Sequence, residues 1–171
     1  MIIIGIDPGI ATTGFGVIDK PNLNASEPQA IDYGCIETNP SCSSGERLKK
    51  INNELNKLIK TYQPKIMAVE SLFFFKNLKT VMPVSQAKGV ILFTAAKKKI
   101  PIYEFTPLQV KMAITGYGRA EKKQVQEMIK VLLNLKDEKF AEKKLKDDAA
   151  DALGIALCYV FHSKIINTES A

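Results

Sequence analysis

The chain has 171 residues, is 46% hydrophobic and carries a net charge of +6, from 24 Lys/Arg against 18 Asp/Glu. That length fits one domain with a substantial core, and no apolar run reaches the roughly 18 residues of a membrane span. Cys35, Cys42 and Cys158 form an odd set without a CxxC pair, which argues against a disulfide frame or zinc site and for reduced thiols in a cytoplasmic protein.

The opening MIIIGIDPG reads as a strand and turn, not as a signal peptide. Ile2–Ile6 is a short continuous apolar run, as expected of a central strand buried on both faces, and it ends at Asp7 before the Pro8-Gly9 turn. Thr13–Asp19 reads as its hairpin partner, and a third strand is expected over Ala30–Glu37, after a loop rich in Asn, Ser and Pro. From Ser44 to Tyr62 the apolar residues Leu48, Ile51, Leu55, Leu58, Ile59 and Tyr62 recur at helical spacing, and Gln63-Pro64 stops that helix.

Lys65–Glu70 is a second buried strand ending in a carboxylate. A helix over about Pro83–Lys98 and a strand over Ile100–Phe105 make the middle a βαβ unit. Helices over about 107–114, 121–134 and 147–162 complete the chain, with the Lys/Glu-rich segment 136–146 expected as a mobile loop. The expected architecture is α/β: an antiparallel three-strand meander followed by parallel strands in one mixed sheet, flanked by helices. A single domain over 1–163 and a fraying polar tail over 164–171 are expected.

Residues 76–146 hold 16 Lys/Arg against 6 Asp/Glu, a block of +10, while the rest holds 8 against 12, or −4. A basic block inside a folded domain points to a polyanion such as nucleic acid, although a lysine-rich solvated surface would look the same on charge alone. The lone His162, near the end of the last helix, reads as structural.

Against this basic background the carboxylates are placed with purpose. Asp7 and Glu70 each stand where an apolar strand gives way to a loop, and neighbouring strands would bring both to one sheet edge. The segment DDAADALGIAL adds acids at the start of an alanine-rich helix; Asp148 and Asp151 are three residues apart and share a face. Asp147 keeps a helix-capping reading, although its four-residue spacing to Asp151 also permits a ligand role. Carboxylates gathered without histidine suit hard divalent cations, Mg²⁺ or Mn²⁺. Two such ions about 3.5–4 Å apart would suit in-line attack of water on a phosphodiester.

Five blocks, GIDPGIATTGFGVID, AVESLFF-KN, SQAKGV, LQVKMAITGYGRAEKKQVQ and DDAADALGIAL, run in order over about residues 1–162. Together they resemble the bacterial RuvC Holliday-junction resolvases. The resemblance implies an RNase H-like fold and a homodimer on four-way junction DNA, with Mg²⁺-dependent symmetric nicking of two strands of like polarity. It implies two Mg²⁺ per site, with Mn²⁺ a substitute, and association with the RuvA–RuvB branch-migration complex. It assigns Asp7, Glu70, Asp148 and Asp151 as catalytic acids and metal ligands, and it is what chooses Asp148 over Asp147.

The same resemblance places Phe73 against junction bases and Lys111 and Lys122 near the scissile phosphate. Arg119 and Lys123 are further candidates for backbone contacts. Phe74 and Phe75 depart from the family pattern and are expected in packing or at a dimer contact. The SQAKGV helix corresponds to the family's dimer helix, where Ala87 and Gly89 would allow close approach; Pro83 should start that helix late or kink it. Two other readings compete. DPGIATTGFGVID superficially resembles the first phosphate loop of actin-like kinases, but those chains are far longer. A silent junction-binding module or an RNase H-like RNA-processing nuclease would share the fold; the intact acidic quartet argues against silence, and TGYGRAEK and DDAADAL favour the resolvase over RNA processing.

Overall fold

The computed structural model describes residues 1–21, 27–71, 78–135, 140 and 144–169. Strands β1 (Ile2–Asp7), β2 (Thr12–Asp19) and β3 (Gln29–Glu37) form the expected meander, followed by helix α1 (Ser44–Tyr62) and strand β4 (Ile66–Glu70). Helix α2 (Leu78–Lys97), strand β5 (Ile102–Phe105) and helices α3 (Pro107–Thr115), α4 (Lys122–Leu132) and α5 (Asp147–Glu169) follow. The sheet order is β3-β2-β1-β4-β5. β1 pairs antiparallel with β2 and parallel with β4, and β4 pairs parallel with β5.

The period-2 alternation of β1 divides the core into two layers. Ile4 and Ile6 face one way and pack with Val17, Met67 and Val69 against Ile51, Leu55 and Ile59 of α1 and Ala87, Ile91 and Ala95 of α2. Ile3 faces the other way, packing with Ile18, Ala68 and the α3–α5 residues Val110, Ile129, Leu153 and Ala156. Gly5 and Asp7 share the side of Ile3, so Asp7 emerges on the α5 side of the sheet.

Local chemistry sets the helix ends. Ser43 and Glu46 form a capping box at the start of α1, and Gln63 closes it in the left-handed region (φ 48°). Thr106 and Gln109 do the same for α3, with Pro107 in its first turn and Gly116 (φ 70°) at its end.

Three expectations change. Pro83 lies inside α2, which already begins at Leu78. Proline removes one N–H from the ladder, and the fully buried row Ala87, Ile91 and Ala95 anchors the rest of the helix on the sheet. Ala87 therefore belongs to the core, while Gly89 has open space beside it. At the other end, α5 runs to Glu169, past the expected stop at 162. Residues 163–169 contain no Gly or Pro to end it.

What seats α5 is the absence of side chains beneath it. A Cβ at Gly14 would stand 2.0 Å from the Asp148 carbonyl oxygen, and one at Gly5 would stand 2.0 Å from that of Ala152. Replacing Gly14 by alanine is expected to lift the first turn of α5, destabilising the fold by about 1–3 kcal/mol as overpacking does. The same change should move the acids on that turn. Urea midpoint and cleavage rate should therefore fall together; an unchanged midpoint would contradict this seating.

Candidate active site

Each acid reaches the site for a local reason. Asp7 stands opposite Gly14 in the β1–β2 register and one residue beyond the Ile6–Val69 pair of β1 and β4. That places it beside Glu70, the last residue of β4. On α5, Asp148 and Asp151 lie one turn apart, and the backbone of Asp148 rests on Gly14. The two strands and the helix thus bring Asp7, Glu70, Asp148 and Asp151 to one end of the sheet.

Their electrostatics show mutual repulsion in a half-dry place. Burial, together with the charges of Glu70, Asp151 and Asp148, pushes the Asp7 carboxyl up to about 8, against a smaller opposing pull from Lys122. Glu70 is also raised, by burial and by Asp151, and a hydrogen bond with Asp7 moderates the rise. Burial raises Asp151 too, opposed by its bond to Lys122.

The Lys122 ammonium donates to Asp151 Oδ2 at 2.9 Å and lies 3.4 Å from Asp147 Oδ2. Burial alone would lower its pKa, but these carboxylates outweigh that and hold it above the ordinary lysine value. Among the described residues no three His, Cys, Asp or Glu side chains are already drawn together as metal ligands. The Lys122 ammonium compensates only part of this negative charge, and a bound cation could take its place. An all-oxygen donor set whose charge is this incompletely compensated fits a hard divalent ion.

Glu70, Lys111, Lys122 and Asp151 line a cleft of about 240 Å³, backed by apolar residues that include Val110, Val125, Ile129 and Ile155. Lys111 and Lys122, expected near a phosphate, are therefore beside the acids. Arg119 and Lys123 are exposed on the adjoining loop and first turn of α4. Phe73, Phe74 and Phe75, and most of segment 136–146, lie outside the described residues.

Asp147 differs from its capping expectation. It is the first residue of α5, and its Oδ1 accepts a 3.0 Å hydrogen bond from Gln126 Nε2. It thereby ties α4 to α5 and helps hold Lys122. Sequence reasoning also missed Lys88, which is buried on α2, donates to Glu104 Oε2 at 2.5 Å and lowers the pKa of Glu70 through its charge. The available signal was a lysine among the core-facing positions Ala87 and Ile91.

Known proteins resemble this chain over nearly its full length. The family model for crossover junction endodeoxyribonuclease RuvC matches residues 3–159. The RuvC of Caldicellulosiruptor saccharolyticus is 48% identical over 166 residues, covering 97% of this chain and 96% of that protein. The RuvC of Alkaliphilus metalliredigens is 50% identical over 159 residues, covering 93% and 92%. The structure of T. thermophilus RuvC in complex with Holliday junction substrate superimposes with a TM-score of 0.86 at 31% identity, covering 96% of each chain.

Proposed function

The chain belongs to the RuvC family of crossover junction endodeoxyribonucleases, and from the acidic cleft we propose that it resolves Holliday junctions in DNA by nicking two strands of like polarity. The observation that carries this reading is the cleft lined by Glu70, Asp151, Lys111 and Lys122, with Asp7 coupled by charge to Glu70, Asp151 and Asp148. Asp7, Glu70, Asp148 and Asp151 would hold the divalent ions, Mg²⁺ first, with Mn²⁺ as a substitute. When bound, such ions supply an activated water and stabilise the departing 3′ oxygen.

The chain's own part is to bind and orient. Lys111 and Lys122 flank the acids and meet the scissile phosphate, while Arg119 and Lys123 take neighbouring phosphates along the strand. Phe73 would meet bases at the junction opening. Lys122, paired with Asp151 in the free protein, is carried on α4 within reach of both acid and phosphate.

Paired cuts need two sites. The outer face of α2 presents Met82, Gly89 and Phe93 in one exposed stripe, which supports a homodimer through this helix. A two-fold axis would then set two clefts against two strands of a symmetric junction. Association with RuvA–RuvB and a cytoplasmic location complete the reading and rest on family membership. No helix among the described residues is long and apolar enough to cross a membrane.

The test is cleavage of a mobile four-way DNA junction with Mg²⁺, beside linear duplex and an RNA–DNA hybrid. Paired, ligatable nicks confined to the junction are expected. Preference for the hybrid would leave the fold standing and assign the cleft to RNA processing instead.

A further inference from the structure

The acids and lysines leave one well-built surface beside the cleft unused. Leu108, Lys111, Met112 and Thr115 follow helical spacing and share one face of α3. Lys111 lines the cleft, but Leu108 and Met112 are 59% and 50% exposed. The loop that follows folds back onto this face: a Cβ at Gly118 would stand 2.4 Å from Leu108 Cδ1 and 3.4 Å from Met112 Sδ. The neighbouring Tyr117 remains 58% exposed.

That exposure is held in place by the backbone. The Tyr117 N–H donates to Thr115 Oγ1 at 3.2 Å, and its carbonyl accepts from Thr115 Oγ1 at 3.0 Å and from the Ala120 N–H at 3.1 Å. Thr115 Oγ1 is itself 2.8 Å from the Lys111 carbonyl, which ties the turn to the helix that carries the cleft lysine. Gly116, at φ 70°, makes the reversal that swings the ring outward. The turn that carries this exposed aromatic lies between Lys111 on α3 and Arg119, Lys122 and Lys123 at the start of α4, so an apolar surface stands in a basic stretch of chain next to the cleft.

We propose that Tyr117, with Met112 and Leu108 beside it, is a stacking platform for an unpaired nucleobase of the strand whose phosphate enters the cleft. Charge complementarity and continuity with the cleft select DNA as the occupant. Every base offers a π-face, so the platform grips without reading sequence. Tyr117 would fix the strand on the α3–α4 side of the acids, and the inference rests on the junction-cleaving reading above.

The test uses the full chain in metal-free buffer, so that strands stay intact, with junctions carrying 2-aminopurine at each branch-point position in turn. Wild type is expected to bind the junction more tightly than duplex and to quench one position by stacking. Tyr117→Ala should weaken junction binding about 5- to 150-fold, the range of one base–aromatic stack, and abolish that quench. Tyr117→Phe keeps the ring and should keep both. Unchanged affinity and quench in Tyr117→Ala would overturn the platform and leave the resolvase reading intact. Equal wild-type affinity for junction and duplex would sink the resolvase reading, and the platform with it. Loss of the dimer by Tyr117→Ala in sedimentation, with monomer–DNA affinity intact, would assign the surface to a second copy and overturn the proposal.

Discussion

Asp7→Asn is expected to abolish strand cleavage while leaving junction binding as tight as wild type, or tighter. Asp7 sits beside Glu70 and interacts by charge with the α5 acids, so its loss removes a central member of the proposed cation-holding set. Metal-assisted charge stabilisation is worth several kcal/mol, so the rate should fall by at least about a thousandfold. Binding should survive because the lysines and arginine proposed to meet the backbone are separate from Asp7. Removing a negative charge also reduces repulsion of the incoming phosphate. The amide of asparagine keeps the shape of the side chain and can donate to Glu70. A gel-shift and a single-turnover cleavage assay on the same junction decide the matter. Parallel loss of binding would show that Asp7 organises the DNA surface rather than the chemistry.

The same substitution is expected to stabilise the metal-free protein at pH 8. The folded pKa of Asp7, about 8, lies above its ordinary value of 3.8. The folded chain therefore holds a proton that the unfolded chain has released across that interval. This contribution to stability is fully present below about pH 4 and is lost as pH rises through about 8. As an upper bound the shift corresponds to about 6 kcal/mol. At roughly 2–4 °C per kcal/mol for a chain of this size, the wild-type melting temperature should drop by on the order of 10 °C relative to Asp7→Asn between pH 4 and 8. Saturating Mg²⁺ should recover stability in wild type, because an ion bound only to the folded state adds free energy by mass action. Asp7→Asn should respond weakly. Melting curves for the two proteins that run parallel in pH would show that Asp7 is not under electrostatic stress.

Much of this arrangement is legible in the chain itself. Apolar runs that end abruptly in Asp7 and Glu70 place both acids at strand ends, and the three-residue spacing of Asp148 and Asp151 puts them on one face. The boundaries of α1 follow from its period and from the Gln63-Pro64 stop at its end. Asp147 is a different case. Its role depends on the approach of Gln126 and Lys122 from another helix, a tertiary contact with no periodic trace. Local rules also mislead at Pro83, because they count the missing hydrogen bond but not the burial that anchors the next turns of α2. The Lys88–Glu104 pair was hidden because a lysine in an amphipathic helix ordinarily marks the wet face. The alternating Gly14 and Gly16 of TTGFGVID were a usable signal: bare positions on one face of a strand announce a backbone lying close above them.

That glycine seat carries a consequence for the life of the chain. The cover it receives, α5, follows the strands beneath it by more than a hundred residues. About 140 residues separate Asp7 from Asp151, which at 5–20 residues per second is roughly 7–30 s of synthesis. During that interval the N-terminal hairpin has left the ribosome with half of its core face open. The acidic cluster cannot assemble until α5 has emerged. A nascent chain that stops short of α5 therefore holds Asp7 and Glu70 without Asp148 and Asp151.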